Sequence, residues 1–182
     1  MGEPERISVG IEGVVRYVLT PHPDERGRMS EIFRRSWLGE DASEMLQANL
    51  SESRAGVLRG LHIHRRQADY WCVLDGTAFI GLIDLRDGSP TFRKSAQLRI
   101  AADDGGDGLL IPPGVAHGFY AETALLLLYL VDRYYEGGGD ELGLAWDDPD
   151  VGIAWPSREP ILSDRDRANP SLTELLADLR ES

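Results

Sequence analysis

The sequence predicts an all-β fold, a β-sandwich or barrel with a short C-terminal helix. Three observations carry this reading. Helical periodicity is scarce along the 182 residues. Short strand-like runs recur through the middle of the chain, separated by Gly, Pro and Asp turn signals. Only the C-terminal stretch has both a helix start signal and an apolar side.

Taken in order, a short helix is expected over Ser36 to Leu46. Tyr70 to Leu74 and Thr77 to Asp84 read as strands flanking Asp75-Gly76. That dipeptide tolerates positive φ and predicts a two-residue hairpin turn. Gln97 to Ala101, Gly108 to Ile111 and Ala124 to Tyr135 continue the strand series. Arg86 to Pro90, Asp103 to Gly106 and Pro112-Pro113-Gly114 supply the turns between them. The run LLLLYLVD lacks alternation, so its strand is expected to be covered on both faces. Gly137-Gly138-Gly139 reads as a flexible loop; with no Lys-Ser/Thr and no helix after it, it is not a phosphate cradle. At the end, Pro170 precedes Ser171 as N-cap, Glu174 completes a capping box, and Leu175, Leu176 and Leu179 line one side of a helix.

Composition narrows the function. The length suits a single domain over residues 1–182, large enough to fold without staples. Asp and Glu number 31 against 19 Lys and Arg, a net charge of −12, which disfavours nucleic-acid binding and leaves room for one small anion held by a local Arg cluster. Lys94 is the only lysine, so a step needing an amine must use it or do without. Cys72 is alone and can form no intrachain disulfide. The N-terminus has no secretory pattern, and the longest apolar run, Ala124 to Val131, is too short to span a membrane. A cytoplasmic protein is expected.

Three of the four histidines fall in two motif-like stretches: Arg59-Gly60-Leu61-His62-Ile63-His64 and Ile111-Pro112-Pro113-Gly114-Val115-Ala116-His117-Gly118-Phe119. Residues two apart on a strand share a face. His62 and His64 therefore both enter one cavity or both face water. The Pro-Pro-Gly turn before His117 could aim a third imidazole at the same place.

These stretches belong to a longer series: Asp24-Glu25-Arg26-Gly27 with Glu31, Gln47-Ala48-Asn49, GVLRGLH (Gly56 to His62), DLRDGSPTF (Asp84 to Phe92), IPPGVAHGF (Ile111 to Phe119), Tyr129 with Tyr135, WDDPDVGIAWP (Trp146 to Pro156) and LSDRD (Leu162 to Asp166). In this order they resemble the dTDP-4-dehydrorhamnose 3,5-epimerase family of deoxysugar biosynthesis. The resemblance implies a cupin, or jelly-roll, fold and action on a nucleotide-linked 4-keto-6-deoxyhexose. It implies His62 as base, Asp166 as the carboxylate on that imidazole's other nitrogen, and Tyr129 as acid on the opposite face of the sugar. It further implies Arg26 and Arg59 as ligand-contacting arginines suited to a diphosphate. Glu31, Gln47, Asn49 and Tyr135 would lie near nucleotide and sugar, and His117 near the sugar ketone. A homodimer without a cofactor is expected on the same ground.

The chain departs from the family pattern at three places. His64 stands where a Gln is usual, Asp69 where a Lys helps hold negative charge near the sugar oxygen, and Ile80 where an Asp often supports the second histidine. A carboxylate in place of an ammonium reverses the electrostatics, often the largest catalytic contribution. The Asp69 exchange also predicts a changed substrate or inversion at one centre. The first two departures raise an alternative. Metal-binding cupins use H-x-H, three or four residues, Glu, six residues and Gly, followed later by P-x-G-x-x-H. Here His62, His64, Asp69 and His117 fit that set, with Asp for Glu, and could hold one divalent transition metal. Metal ligation and base catalysis would compete for His62. A non-catalytic nucleotide-sugar binder is the third reading.

Overall fold

The computed structural model describes residues 2–39, 42–102, 105–134 and 140–181. The chain enters through β1 (Glu5–Ser8), β2 (Val15–Val18) and a small hairpin of β3 (His22–Asp24) and β4 (Gly27–Met29). The central strands are β5 (Gln47–Ser53), β6 (Leu58–His64), β7 (Asp69–Asp75), β8 (Thr77–Asp84), β9 (Ser95–Ala101), β10 (Asp107–Ile111), β11 (Val115–Ala121) and β12 (Leu125–Val131). The chain ends with β13 (Glu141–Gly143), α1 (Asp164–Arg167) and α2 (Leu172–Glu181).

Two antiparallel sheets hold most of these strands. A six-stranded sheet runs β1-β2-β10-β7-β12-β5 and a five-stranded sheet runs β13-β6-β11-β8-β9. Alternation along each strand sends one set of side chains between the sheets. Trp71, Val73, Leu109 and Leu127 from the first sheet pack there against Ile80, Leu82, Val115 and Phe119 from the second. The opposite sets are covered separately. Leu61, Ile63, Ile83 and Ala116 lie beneath Leu144, Val151, Leu172 and Leu175 of the C-terminal segment. Tyr17, Tyr70 and Cys72 lie beneath Trp37 and Leu38, with Leu128 and Leu130 packed alongside. The leucine-rich strand β12 is thus covered on both faces, Leu125 and Leu127 inside and Leu128 and Leu130 outside.

The C-terminal helix forms as expected. Glu174 N–H donates to Ser171 Oγ, the Ser171 N–H donates to Glu174 Oε2 at 2.8 Å, and Leu175 is buried. Three expectations are corrected. Asp75-Gly76 is a corner between the two sheets rather than a hairpin, because β7 pairs with β10 and β12 while β8 pairs with β9 and β11. Gly76 turns the chain with φ +80°, and a side chain there would strike the Ala124 carbonyl. The helix over Ser36 to Leu46 reduces to one 3₁₀ turn, Arg35–Leu38, closed by Gly39 at φ +92°. Tertiary burial of Trp37 and Leu38 holds that turn. The strand from Ala124 stops at Val131, where pairing with β5 and β7 ends. Tyr135 and Gly137 to Gly139 lie outside the described residues. Among the described residues no helix is long and apolar enough to cross a membrane.

The DLRDGSPTF motif turns out to be a buried carboxylate with its loop wrapped around it. Asp84 is inaccessible to solvent and accepts hydrogen bonds from the Arg86 guanidinium at 2.8 Å, the Arg86 N–H, Ser89 Oγ and Thr91 Oγ1. Burial pushes its carboxyl up, but these donors outweigh it and hold the group far below the usual carboxylate range. The folded-state value is depressed, so the stabilisation is present above the unfolded value near pH ~3.9 and is lost as pH falls below it. Asp84→Asn should cost about 2–4 kcal/mol at pH 7. In urea denaturation the gap to the parent should narrow between pH 4 and pH 2, and a gap independent of pH would contradict the assignment.

Candidate functional site

A cavity of about 440 Å³ opens at one end of the space between the sheets. Alternation builds its walls. Gln47, Asn49 and Ser51 project from β5, and Leu127, Tyr129 and Val131 from β12 beside it. Asp69 and Trp71 follow on β7. Across the gap, His117 and Phe119 project from β11, and Arg59, His62 and His64 from β6.

The spacing on β6 breaks strict alternation, since Arg59 and His62 are three apart yet both face the cavity. A bulge resolves this. His117 pairs with His62 and Phe119 with Arg59, so Gly118 alone on β11 opposes both Gly60 and Leu61 on β6. Gly60 takes up the extra residue at φ +129°, and a Cβ on it would lie 2.7 Å from Gly118 Cα. A Cβ on Gly118 would likewise lie 2.7 Å from the Arg59 carbonyl oxygen. The glycines in the two histidine motifs are therefore where two backbones touch. The bulge leaves Leu61 and Ile63 pointing into the apolar layer under α2 while His62 and His64 point inward.

His62 is held from both sides. Its Nε2 lies 2.8 Å from Asp166 Oδ1 and its Nδ1 lies 3.5 Å from Glu141 Oε1. Asp166 is buried on α1, whose N-cap Ser163 accepts the Asp166 N–H at 3.0 Å. Burial raises the Asp166 carboxyl, but hydrogen bonds with His62, Ser163 and the Gly60 N–H hold it below the usual range. It stays an anion, and an anion on Nε2 keeps the proton there and the lone pair on Nδ1. Glu141 also pairs with Arg165 at 2.9 Å.

Tyr129 faces this group from the other sheet. Burial, then the charges of Asp69 and Glu141, raise its hydroxyl, with Arg59 opposing, so it is a neutral phenol at pH 7. Arg59 donates Nε–H to Ser53 Oγ at 3.0 Å and Nη2–H to the Glu52 carbonyl at 3.1 Å. Gln47 donates to Asn49 Oδ1 at 2.9 Å.

A second group lies deeper. His64, Asp69 and His117 each offer one ligand atom, and the three atoms lie within 4.8 Å of one another. His62 is outside this trio, so the four-membered set expected from the H-x-H pattern divides in two. Burial first, opposed by Asp69 and helped by His64, pushes His117 down to about 4, so its imidazole is neutral at pH 7. Ile80, where the family often has a supporting Asp, is fully buried in the apolar layer and leaves the support of His117 to the Val115 carbonyl at 3.0 Å from Nδ1.

The structure therefore gathers His62, Asp166, Tyr129, Arg59, Gln47, Asn49, His117, His64 and Asp69. It separates Arg26 and Glu31 from them. Arg26 is paired with Asp24 at the tip of the exposed β3–β4 hairpin, and Glu31 is paired with Arg34 at 2.6 Å. Lys94 packs against Gly10, away from the cavity. Cys72 faces the outer layer, and burial pushes its thiol up to about 12, which leaves it unreactive. Sequence reasoning missed Glu141, Gln67 and Trp71. Trp71 could have been found two positions after Asp69 on the same strand, whereas nothing in the local sequence marks Glu141.

The family model described as dTDP-4-dehydrorhamnose 3,5-epimerase matches residues 8–174. A dTDP-4-dehydrorhamnose 3,5-epimerase of Streptomyces griseus is 38% identical over 161 residues, covering 84% of this chain and 78% of the relative. The crystal structure of dTDP-6-deoxy-D-glucose-3,5-epimerase from Legionella pneumophila, in complex with dTDP-4-keto-L-rhamnose, superposes with a TM-score of 0.88 at 32% identity and covers 96% of each chain. A 3'-monoepimerase from Streptomyces bikiniensis in complex with dTDP-quinovose superposes with a TM-score of 0.83 at 31% identity, covering 99% of this chain and 90% of the other.

The backbone contact gives a direct prediction. Gly118→Ala must push β6 and β11 apart at the bulge, with an expected loss of about 1–3 kcal/mol. An unchanged urea midpoint would show that the two strands do not meet there.

Proposed function

The chain belongs to the dTDP-4-dehydrorhamnose 3,5-epimerase family and is an isomerase, and on that premise we propose that it inverts carbon 3, carbon 5 or both of a dTDP-linked 4-keto-6-deoxyhexose. The observation that carries the proposal is His62 of one sheet, paired with Asp166 of α1 at 2.8 Å and facing the Tyr129 phenol of the other sheet across a sugar-sized cavity.

The chemistry follows from the ketone. Hydrogens on the carbons beside a carbonyl are acidic because the electron pair left behind delocalises onto the oxygen. His62 takes the proton at Nδ1. The C–H electron pair becomes the enolate, and Asp166 stabilises the resulting imidazolium through Nε2. Tyr129 then donates its hydroxyl proton from the opposite face, the enolate carbon forms the new C–H bond, and the centre is inverted. Glu141, 3.5 Å from Nδ1, must yield to the sugar for this step. No electrons pass between sugar and protein, so these steps need no redox cofactor.

Arg59 is the permanent cation lining the cavity, and its planar guanidinium suits paired phosphate oxygens. Gln47 and Asn49 present amides to sugar or base. We assign Arg26 and Glu31 to the neighbouring cavity of a homodimer. Both lie outside the cavity of their own chain, and the β3–β4 hairpin that carries Arg26 is exposed along its whole length. Tyr135, expected near the nucleotide, lies outside the described residues. A charged nucleotide sugar does not cross membranes unaided, which supports a cytoplasmic setting.

Incubating the dTDP-4-keto-6-deoxyhexose with enzyme in deuterated water should place deuterium at carbon 3, carbon 5 or both. His62→Asn should abolish exchange. Tyr129→Phe should keep exchange, since His62 can return deuterium to the face it came from, while inversion falls by about 10²–10⁴-fold. No exchange by the parent enzyme would refute the reading.

A further inference from the structure

Asp69 is a buried carboxylate with no Lys or Arg paired to it among the described residues. Its side chain is 4% exposed, and its oxygens accept hydrogen bonds from two neutral donors, Gln67 Nε2 at 2.8 Å and Trp71 Nε1 at 3.1 Å. Its one ion-pair contact is His117 Nε2 at 3.8 Å. Arg59 is tied to β5 and Lys94 lies elsewhere. A charge withdrawn from water needs an opposite charge or a metal.

The neighbours of Asp69 are arranged to supply lone pairs. The Val115 carbonyl can only accept, so His117 Nδ1 carries the proton and Nε2 turns a lone pair toward Asp69. His64 stands beside it, ring centroids 5.6 Å apart, with no hydrogen bond to another described side chain. Two imidazoles and a carboxylate, two of the three anchored by outer hydrogen bonds, form the donor set of a divalent transition metal. Bonds of about 2.0–2.2 Å would draw the ligand atoms about 3–4 Å apart, a small contraction from the observed grouping.

We propose that His64, Asp69 and His117 bind one divalent transition-metal ion whose open positions face the cavity, and that this cation holds the enolate oxygen of the substrate. The second half rests on the epimerase reading above; the first does not. Without the ion, an enolate formed by His62 would face the Asp69 carboxylate, which repels it. With the ion bound, the same place becomes attractive. His117 cannot replace it, because its Nδ1–H is given to the Val115 carbonyl and its pocket-facing Nε2 presents a lone pair rather than a proton. His62 lies outside the trio and its Nε2 is held by Asp166 at 2.8 Å, so metal binding and proton abstraction do not compete.

The test uses full-length protein without a histidine tag, stripped with EDTA and titrated with Co²⁺. One ion per chain should bind with a visible d–d band, and Zn²⁺ should displace it. Asp69→Asn should weaken Co²⁺ binding by about 100-fold or more, while His62→Asn should retain both stoichiometry and band. In deuterated water the stripped parent should exchange carbon-bound hydrogen about 10²-fold more slowly than after Zn²⁺ is restored. Absence of a band in the parent, or equal binding by Asp69→Asn, overturns the site. Binding with exchange indifferent to metal overturns the enolate role. Exchange absent under every metal condition defeats the epimerase reading and leaves the Co²⁺ result to judge the site alone.

Discussion

The backbone contact between Gly60 and Gly118 is the constraint from which the site follows. Strand alternation alone would put Arg59 and His62 on opposite faces of the sheet. The extra residue at Gly60, accommodated only because Gly118 also lacks a side chain, turns both into the cavity. The same step sends Leu61 and Ile63 outward, where they anchor the C-terminal segment. That segment carries α1, which brings Asp166 back to His62. One local break in periodicity thus sets His62 and seats the element that supplies its partner.

The electrostatics of the cavity are unusual for a site that would receive a diphosphate and build up enolate charge. Asp69 and Glu141 line it and Asp166 lies beside it, and among the described residues Arg59 is the one permanent cation in the lining. Asp166 is used on His62 and Glu141 is met by Arg165. Among the described residues Asp69 has no Lys or Arg paired to it, and of these three carboxylates it is the one grouped with two imidazoles. The imbalance is local chemistry rather than a consequence of the net charge of −12.

Much of the fold was legible because it depends on local rules. Gly and Pro punctuation between strand-like runs gave the all-β class, and Ser171 with Glu174 gave the terminal helix, since a capping box is complete within four residues. The first forty-six residues were poorly legible. Their strands are short and exposed at β1, β3 and β4, and Trp37 and Leu38 are held by burial against Tyr17 and Tyr70 rather than by periodicity. Asp75-Gly76 reads the same whether it closes a hairpin or turns a corner between sheets, because turn chemistry sets φ and not the pairing partner.

By itself the sequence determined the strand-rich class, the terminal helix, the family, and the residue types the site could use: three motif histidines, a late Asp, and no lysine to spare. Only the tertiary structure decided how they combine. His62 goes to Asp166, 104 residues away, and His64 goes with Asp69 and His117, leaving one pair and one trio where H-x-H spacing suggested four equal ligands. The physical reason is that spacing along a strand fixes which face a side chain takes, whereas its partner is fixed by register and by the strand or helix packed opposite.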